Sequence, residues 1–399
     1  MPRQTLQRSA WTVLVLNVLY TIADALCGVF VGVYFYVNSL DFNVVCIHYL
    51  VLYLVTPVVF ILAGWYSQRH DRLHVFQLGL LLHAVYYGLL LYLGEASARH
   101  PVELGFFLGI TWGIFWAGNN VFGFDVTAPE ERDYFFGWIS AATGAARLFA
   151  PLLSGAILYW ISAPRRGYQV IFALAVLVYL AAIAFSVRVP SDSTPRPFKL
   201  WRALFPGRDQ RDWRWMMLAA TMLSGTFHLL YVVLGVLMYL KTVNEASVGA
   251  YAALQAFASI LTSYFAGRMV TPRTRPATMR IGVVLLLVAG LIILFQMNLA
   301  TLILFGFLQA FALPLFVIPH SSLKFDVIER CLDAPHERIE YISAWEIPLA
   351  VGRGAAMLLV MGLAYWWGDL GLRIALFVLC ANHLAAYAFV CQVSGFRDR

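Results

Sequence analysis

The 399-residue chain is 61% hydrophobic and only 12% charged, with a mean hydropathy of +0.75, far from the roughly one-quarter charged composition of a soluble domain. That balance puts the chain in a bilayer, and its net charge of +7 reads as an orientation signal in short loops rather than as a nucleic-acid site. Five scattered cysteines show no C-x-x-C pair and no metal spacing, so no disulfide framework, metal or cofactor is expected.

From the N-terminus, Arg3 and Arg8 precede an apolar run of about 26 residues, too long for a signal h-region, so a first spanning helix is expected and no cleaved leader. A window of about 20 residues predicts spans at 11–36, 44–66, 73–94, 102–125, 136–160 and 167–187. A polar stretch rich in proline and arginine follows at 188–213, the composition of a connector. The second set covers 214–240, 246–270, 276–297, 300–323, 338–365 and 370–393. The expected organisation is therefore an N-terminal six-helix half, 1–187, a linker, and a C-terminal six-helix half, 214–399. Lysine and arginine crowd the side that carries the linker and both termini, which predicts that this side is cytoplasmic.

The two halves repeat one another. Ala128, Pro129, Glu131, Arg132 and Arg147 map without a gap onto Ala334, Pro335, Glu337, Arg338 and Arg353. Ala63, Gly64, Arg72 and Gly79 align at constant offset with Ala266, Gly267, Arg275 and Gly282. Two halves of equal orientation form a parallel repeat, with substrate expected between them near mid-membrane.

At this point the chain resembles the major facilitator superfamily over essentially its whole length. Gly64, Arg69 and Arg72 match the family's G-x-x-x-D-R-x-G-R loop between spans two and three, with Gln68 where an acid and Asp71 where a glycine is expected. Asp125, Pro129, Glu131 and Arg132 resemble the D-x-x-x-P-x-x-R turn. Gly144, Pro151 and Gly155 resemble the span-five signature of drug/proton antiporters, although Ala150 and Ser154 replace glycines and Arg147 is unusual there. The resemblance implies an all-α fold of twelve transmembrane helices in two pseudo-symmetric halves that work by alternating access.

Charge inside a span needs a reason, because it costs at least about 2.5–3.5 kcal/mol at the bilayer centre. Asp24, Arg147, Glu346 and Arg353 are such charges, and His228 aligns with Asp24 across the repeat. Counting helix rise, Asp24 and Arg147 lie roughly 18–20 Å deep, and His228 and Arg353 roughly 21 Å. Asp24 shares a face with Asn17, Thr21 and Gly28, and His228 with Thr221, Ser224, Tyr231 and Gly235, which predicts polar stripes facing a cavity.

Asp24 has two readings: a structural ion pair with Arg147, or a carboxylate that exchanges a proton for a cationic substrate. A pair made in one state only would couple the two, since burial opposes the carboxylate's charge and a guanidinium favours it. Arg147 and Arg353 could instead converge on an organic anion, or Arg353 could pair with Glu346 if Pro348 kinks the helix between them. His228, Asn119, Asn120 and Trp116 are candidate cavity lining. At the helix ends, Arg69, Arg72, Asp125 and Glu131 in the first half, and Arg275, Asp326 and Glu337 in the second, form matching sets that could latch the inside closed, with Arg132 and Arg338 beside them.

The expected function is proton-coupled export of a small amphipathic or cationic compound across the plasma membrane by a monomer, with the proton as coupling ion. Alternatives are uptake or exchange of an organic anion through Arg147 and Arg353, and a non-transporting sensor or lipid flippase. No nucleotide-binding or hydrolase motif is present, so no enzyme activity is expected.

Overall fold

The computed structural model describes residues 8–125, 132–161, 164–187, 198–332 and 337–396, without side chains at 8–10, 72, 121–125, 132–136, 164 and 208. Thirteen α-helices are described: α1 Arg8–Ser39, α2 Phe42–Arg69, α3 Arg72–Leu93, α4 Pro101–Asp125, α5 Arg132–Trp160, α6 Pro164–Ser186, α7 Leu200–Leu204, α8 Arg211–Ser224, α9 Leu229–Thr242, α10 Glu245–Met269, α11 Arg275–Phe295, α12 Leu299–Cys331 and α13 Arg338–Val390.

Eleven helical stretches among the described residues are long and apolar enough to cross a membrane. One of them, α13, is 53 residues long, about 80 Å at 1.5 Å per residue, against a hydrocarbon core of about 30 Å. It turns at Gly368, whose φ of 53° and ψ of −126° are not helical and are open to glycine at little cost. The single assigned helix is thus two crossings, which gives the twelve spans expected.

The chain packs as two compact units, residues 1–198 with 244–253, and residues 199–243 with 254–399. In the first, α1 packs on α5 and α6, α2 on α4, and α3 on α4 and α6. The α2–α4 contact is close because Gly109 and Gly113 fall one turn apart on α4. A Cβ at either would come within 2.7 Å of Val55 Cβ or Val59 Cβ on α2. Small residues at such spacing let helix backbones approach where apolar solvent gives no hydrophobic drive. Asp71, which replaces the family's glycine, serves its own helix: its Oδ1 accepts from Leu73 N at 2.8 Å and caps α3.

Two side chains tie α1 to its neighbours on consecutive residues. Ser154 Oγ on α5 donates to Leu26 O at 2.7 Å, and Cys27 Sγ donates to Ile171 O on α6 at 3.6 Å. Serine in place of the motif's glycine at 154 is therefore a cross-helix bond inside the bundle, where Ser154 is fully buried. Ser154→Ala should lower stability by about 1 kcal/mol, read as a fall in the thermal unfolding midpoint in detergent. An unchanged midpoint would show that the bond contributes nothing net.

The second unit has its core around Trp213, which stands edge-on to Tyr341 at 5.2 Å and tilted against Trp345 at 5.5 Å. Here α8 packs on α13, and α11 on α12 and α13. The segment expected to be plain connector ends in structure: α7 lies on this core through Leu200, Ala203 and Leu204, and Trp213 Nε1 donates to Ala203 O at 2.9 Å.

Candidate functional site

In the first unit the site is built on α1. Asn17 Nδ2 donates to Val13 O at 3.0 Å and Thr21 Oγ1 to Asn17 O at 2.7 Å, so both polar groups of the stripe are satisfied by their own helix. Asp24 is the member of that stripe whose charge is not absorbed this way. It is half-buried, just before the Leu26 and Cys27 ties and one turn after Tyr20 on α1.

Tyr20 stacks on Phe115 at 3.7 Å, meets Trp116 edge-on at 5.9 Å, and neighbours His83 at 5.3 Å and Tyr179 at 6.0 Å. Phe115, His83 and Tyr179 are buried, while Trp116, Asn119 and Asn120 are half-buried. Of the α4 residues expected to line a cavity, Trp116 meets Tyr20, which lies one helical turn before Asp24. Arg147 is exposed on α5, ten residues into its crossing, about 15 Å along the helix. It lies within electrostatic reach of Asp24, yet among the described residues the two do not close into a direct ion pair.

In the second unit the expected polar stripe is broken, which corrects the reading of one continuous seventh span. The crossing 211–242 is two helices, α8 and α9, joined by Gly225–His228. His228 caps α9 with φ −3° and ψ −37°, so it is half-buried at a break rather than on a regular face with Thr221 and Ser224. The local cause is legible in the hydroxyls. Thr221, Ser224 and Thr226 donate to Met217 O, Thr221 O and Leu223 O at 3.1, 3.2 and 2.7 Å, and such back-bonding bends helices.

The helix α13 fits against that break by means of small residues. A Cβ at Gly352 would run into Thr221 O and Ser224 Oγ, and one at Gly225 would come within 2.6 Å of Ala356 Cβ. Gly352→Ala should therefore force α8 and α13 apart, at about 1–3 kcal/mol. Thermal stability in detergent measures this, and Ser224→Ala should restore only part of the loss because the Thr221 carbonyl remains in the way. A fully stable Gly352→Ala protein would contradict the contact.

Next to Gly352, Arg353 Nη1 stands 3.9 Å from Glu346 Oε2, both side chains being 15% exposed. The two residues are seven apart, two turns along a helix that contains Pro348 between them. Lys324 on α12, not singled out from the sequence, is within electrostatic reach of Glu346 and lies over Trp345 at 5.2 Å. The signal that could have found it is its place five residues after Pro319, as the first charge after a long apolar run.

At the helix ends, the second-half set includes a pair: Arg275 Nη1 meets Asp326 Oδ2 at 2.5 Å. Arg338 pairs with Glu329, a residue outside the expected set, while Glu337 is half-buried. In the first half Gly64 is buried in α2, and Arg69 lies over the Trp65 ring at 4.4 Å. Glu131, and the side chains of Arg72, Asp125 and Arg132, lie outside what is described. Among the described residues no group of three or more His, Cys, Asp or Glu gathers as a metal site.

The sequence model of the Major Facilitator Superfamily matches residues 11–317, well over half of the chain. The chain belongs to that family. Its fold and family make it a membrane transporter of the superfamily and not an enzyme. Among similar proteins, the uncharacterized protein YqgE of Bacillus subtilis (strain 168) is 29% identical over 377 residues, covering 94% of this chain and 87% of that protein. Among solved structures, an outward-facing bacterial homologue of the iron transporter ferroportin matches with a TM-score of 0.68 at 16% identity, covering 98% of this chain and 100% of that one. The fucose:proton symporter of E. coli matches with a TM-score of 0.66 at 14% identity, covering 97% and 100%. At such identities the superfamily structures share the fold with this chain.

Proposed function

We propose that this transporter is a proton-coupled exporter of a small amphipathic or cationic compound, with Asp24 as the carboxylate that exchanges proton for substrate. It works as a monomer in the plasma membrane, with both termini in the cytoplasm. The observation that carries the reading is the state of the two mid-membrane arginines. Arg353 has Glu346 at 3.9 Å, whereas Arg147 stands within reach of Asp24 without a direct pair. A half-buried carboxylate so placed can hold either a proton or a cation, and the nearby guanidinium favours release of whichever is bound. The rings of Tyr20 and Trp116 beside it suit a lipophilic cation, which aromatic faces attract.

The ferroportin homologue is described by its iron-transporting relative, and the fucose protein by its proton coupling. Together they put divalent metals and neutral sugars into the test panel. Organic anion exchange is the second reading, and the exposed Arg147 is the observation in its favour.

The test is flux into proteoliposomes under an imposed pH gradient, with lipophilic cations, carboxylates, sugars and divalent metals as solutes. Gradient-driven cation movement that falls to background in Asp24→Asn is the expected result. Anion movement that survives Asp24→Asn and disappears in Arg147→Ala would replace the proposal with the second reading.

A further inference from the structure

The five-residue helix α7 and its C-cap carry apolar side chains on two sides, one of which packs on the second unit. Leu200, Ala203 and Leu204, at i, i+3 and i+4, lie on the core of the second unit. That seat is fixed further by Lys199 N donating to Glu340 Oε1 at 3.2 Å and by a 2.6 Å hydrogen bond between the Gln210 side-chain amide and Tyr341 Oη. On the other side Trp201 and Phe205, at i and i+4, are 75% and 69% exposed. Their rings stack on each other with centroids 5.3 Å apart. Two large, stacked aromatic side chains facing outward are not explained by packing within this unit, and exposed apolar patches of this kind mark an interaction surface.

The occupant follows from position and charge. Trp213 and Glu340, which anchor the segment, sit in the first turns of two membrane crossings, so α7 lies at the level where spans meet headgroups. Tryptophan and other amphipathic rings concentrate at that level. Lys199, Arg202, Arg211 and Arg214 are all exposed in the same segment, against the exposed Asp209. We infer that residues 199–214 form a lipid-binding anchor in which Trp201 and Phe205 insert at the membrane interface and the surrounding basic residues hold anionic phospholipid headgroups. The anchor fastens the linker to the second unit on one side and to the bilayer on the other.

The experiment uses the full chain reconstituted in phosphatidylcholine vesicles with or without phosphatidylglycerol. The emission of Trp201 is taken as the difference between wild type and Trp201→Phe. This difference should be quenched by brominated acyl chains and shielded from aqueous iodide, more so with phosphatidylglycerol present. Retention of phosphatidylglycerol after detergent extraction should weaken roughly fivefold for each charge removed in Lys199→Gln and Arg202→Gln, from about 1 kcal/mol per basic residue. Iodide quenching of the Trp201 signal without quenching by brominated lipid would overturn the anchor, as would unchanged phosphatidylglycerol retention in the double variant. Because none of these readouts requires a transported solute, the result does not depend on the proposed function.

Discussion

Asp24→Asn should bind a lipophilic cation about thirtyfold more weakly than the wild type in mildly alkaline buffer, and with an affinity that no longer changes with pH. The size follows from removing the charged partner of a half-buried ion pair, about 2 kcal/mol, the low end of the cost for a fully buried one. The pH dependence follows from competition. Protons and cations share one carboxylate, so wild-type affinity rises with pH as the proton leaves, and a cation displaces one proton wherever the carboxyl is protonated. Asparagine keeps the shape of the site and mimics its protonated form at every pH, which flattens the profile. Equilibrium binding of a radiolabelled cation to purified protein over a range of pH measures both effects. An Asp24→Asn protein that keeps the wild-type slope would place the exchanging group elsewhere. The neighbouring rings make the test selective. Tyr20 is fixed by its stack on Phe115 at 3.7 Å, so a change confined to charge at 24 leaves the aromatic wall in place.

The fold could be read from the sequence because the bilayer imposes a single rule on every span. Backbone groups must bond within the helix, and about 20 apolar residues must follow one another. Composition and a sliding window capture both, and the spans and the Gly368 turn fall where they point. What the window cannot see is a break that keeps hydropathy constant. The α8–α9 interruption lies in an apolar stretch, and its causes are three hydroxyls bonded to backbone and a glycine contact from α13, a partner more than a hundred residues away.

The site was partly legible for the same reason. Asp24, Arg147, Glu346 and Arg353 announce themselves because a charge in hydrocarbon is costly. Which charges pair is a matter of tertiary placement. The sequence left Arg353 with either an anion or Glu346, and only a folded α13 brings Nη1 and Oε2 to 3.9 Å. Lys324 escaped notice because it lies near a helix end rich in charge, where lysine is ordinarily an orientation signal. The outward aromatic face of α7 was hidden in a segment whose prolines read as connector.

The largest stability effect should come from Glu346→Gln. The variant keeps the side chain's length and removes the only negative charge in the trio formed with Arg353 and Lys324. What remains is two cations near one another in a region where both members of the pair are 15% exposed. Breaking a buried pair by removing one member costs about 3–5 kcal/mol, chiefly because the other charge stays behind. At 3.9 Å and with some exposure, the lower end of that range, about 3 kcal/mol, is expected. Thermal unfolding in detergent should show it as a clear fall in midpoint. Adding Arg353→Met to Glu346→Gln should recover much of the loss, since an apolar replacement of the pair removes the stranded charge. The double-mutant coupling then separates the two roles left open for Arg353. Strong coupling with transport retained in the double variant makes Arg353 a structural partner of Glu346. Weak coupling, with anion flux lost in Arg353→Met alone, makes it a ligand for substrate and turns Glu346 into the group that the substrate displaces.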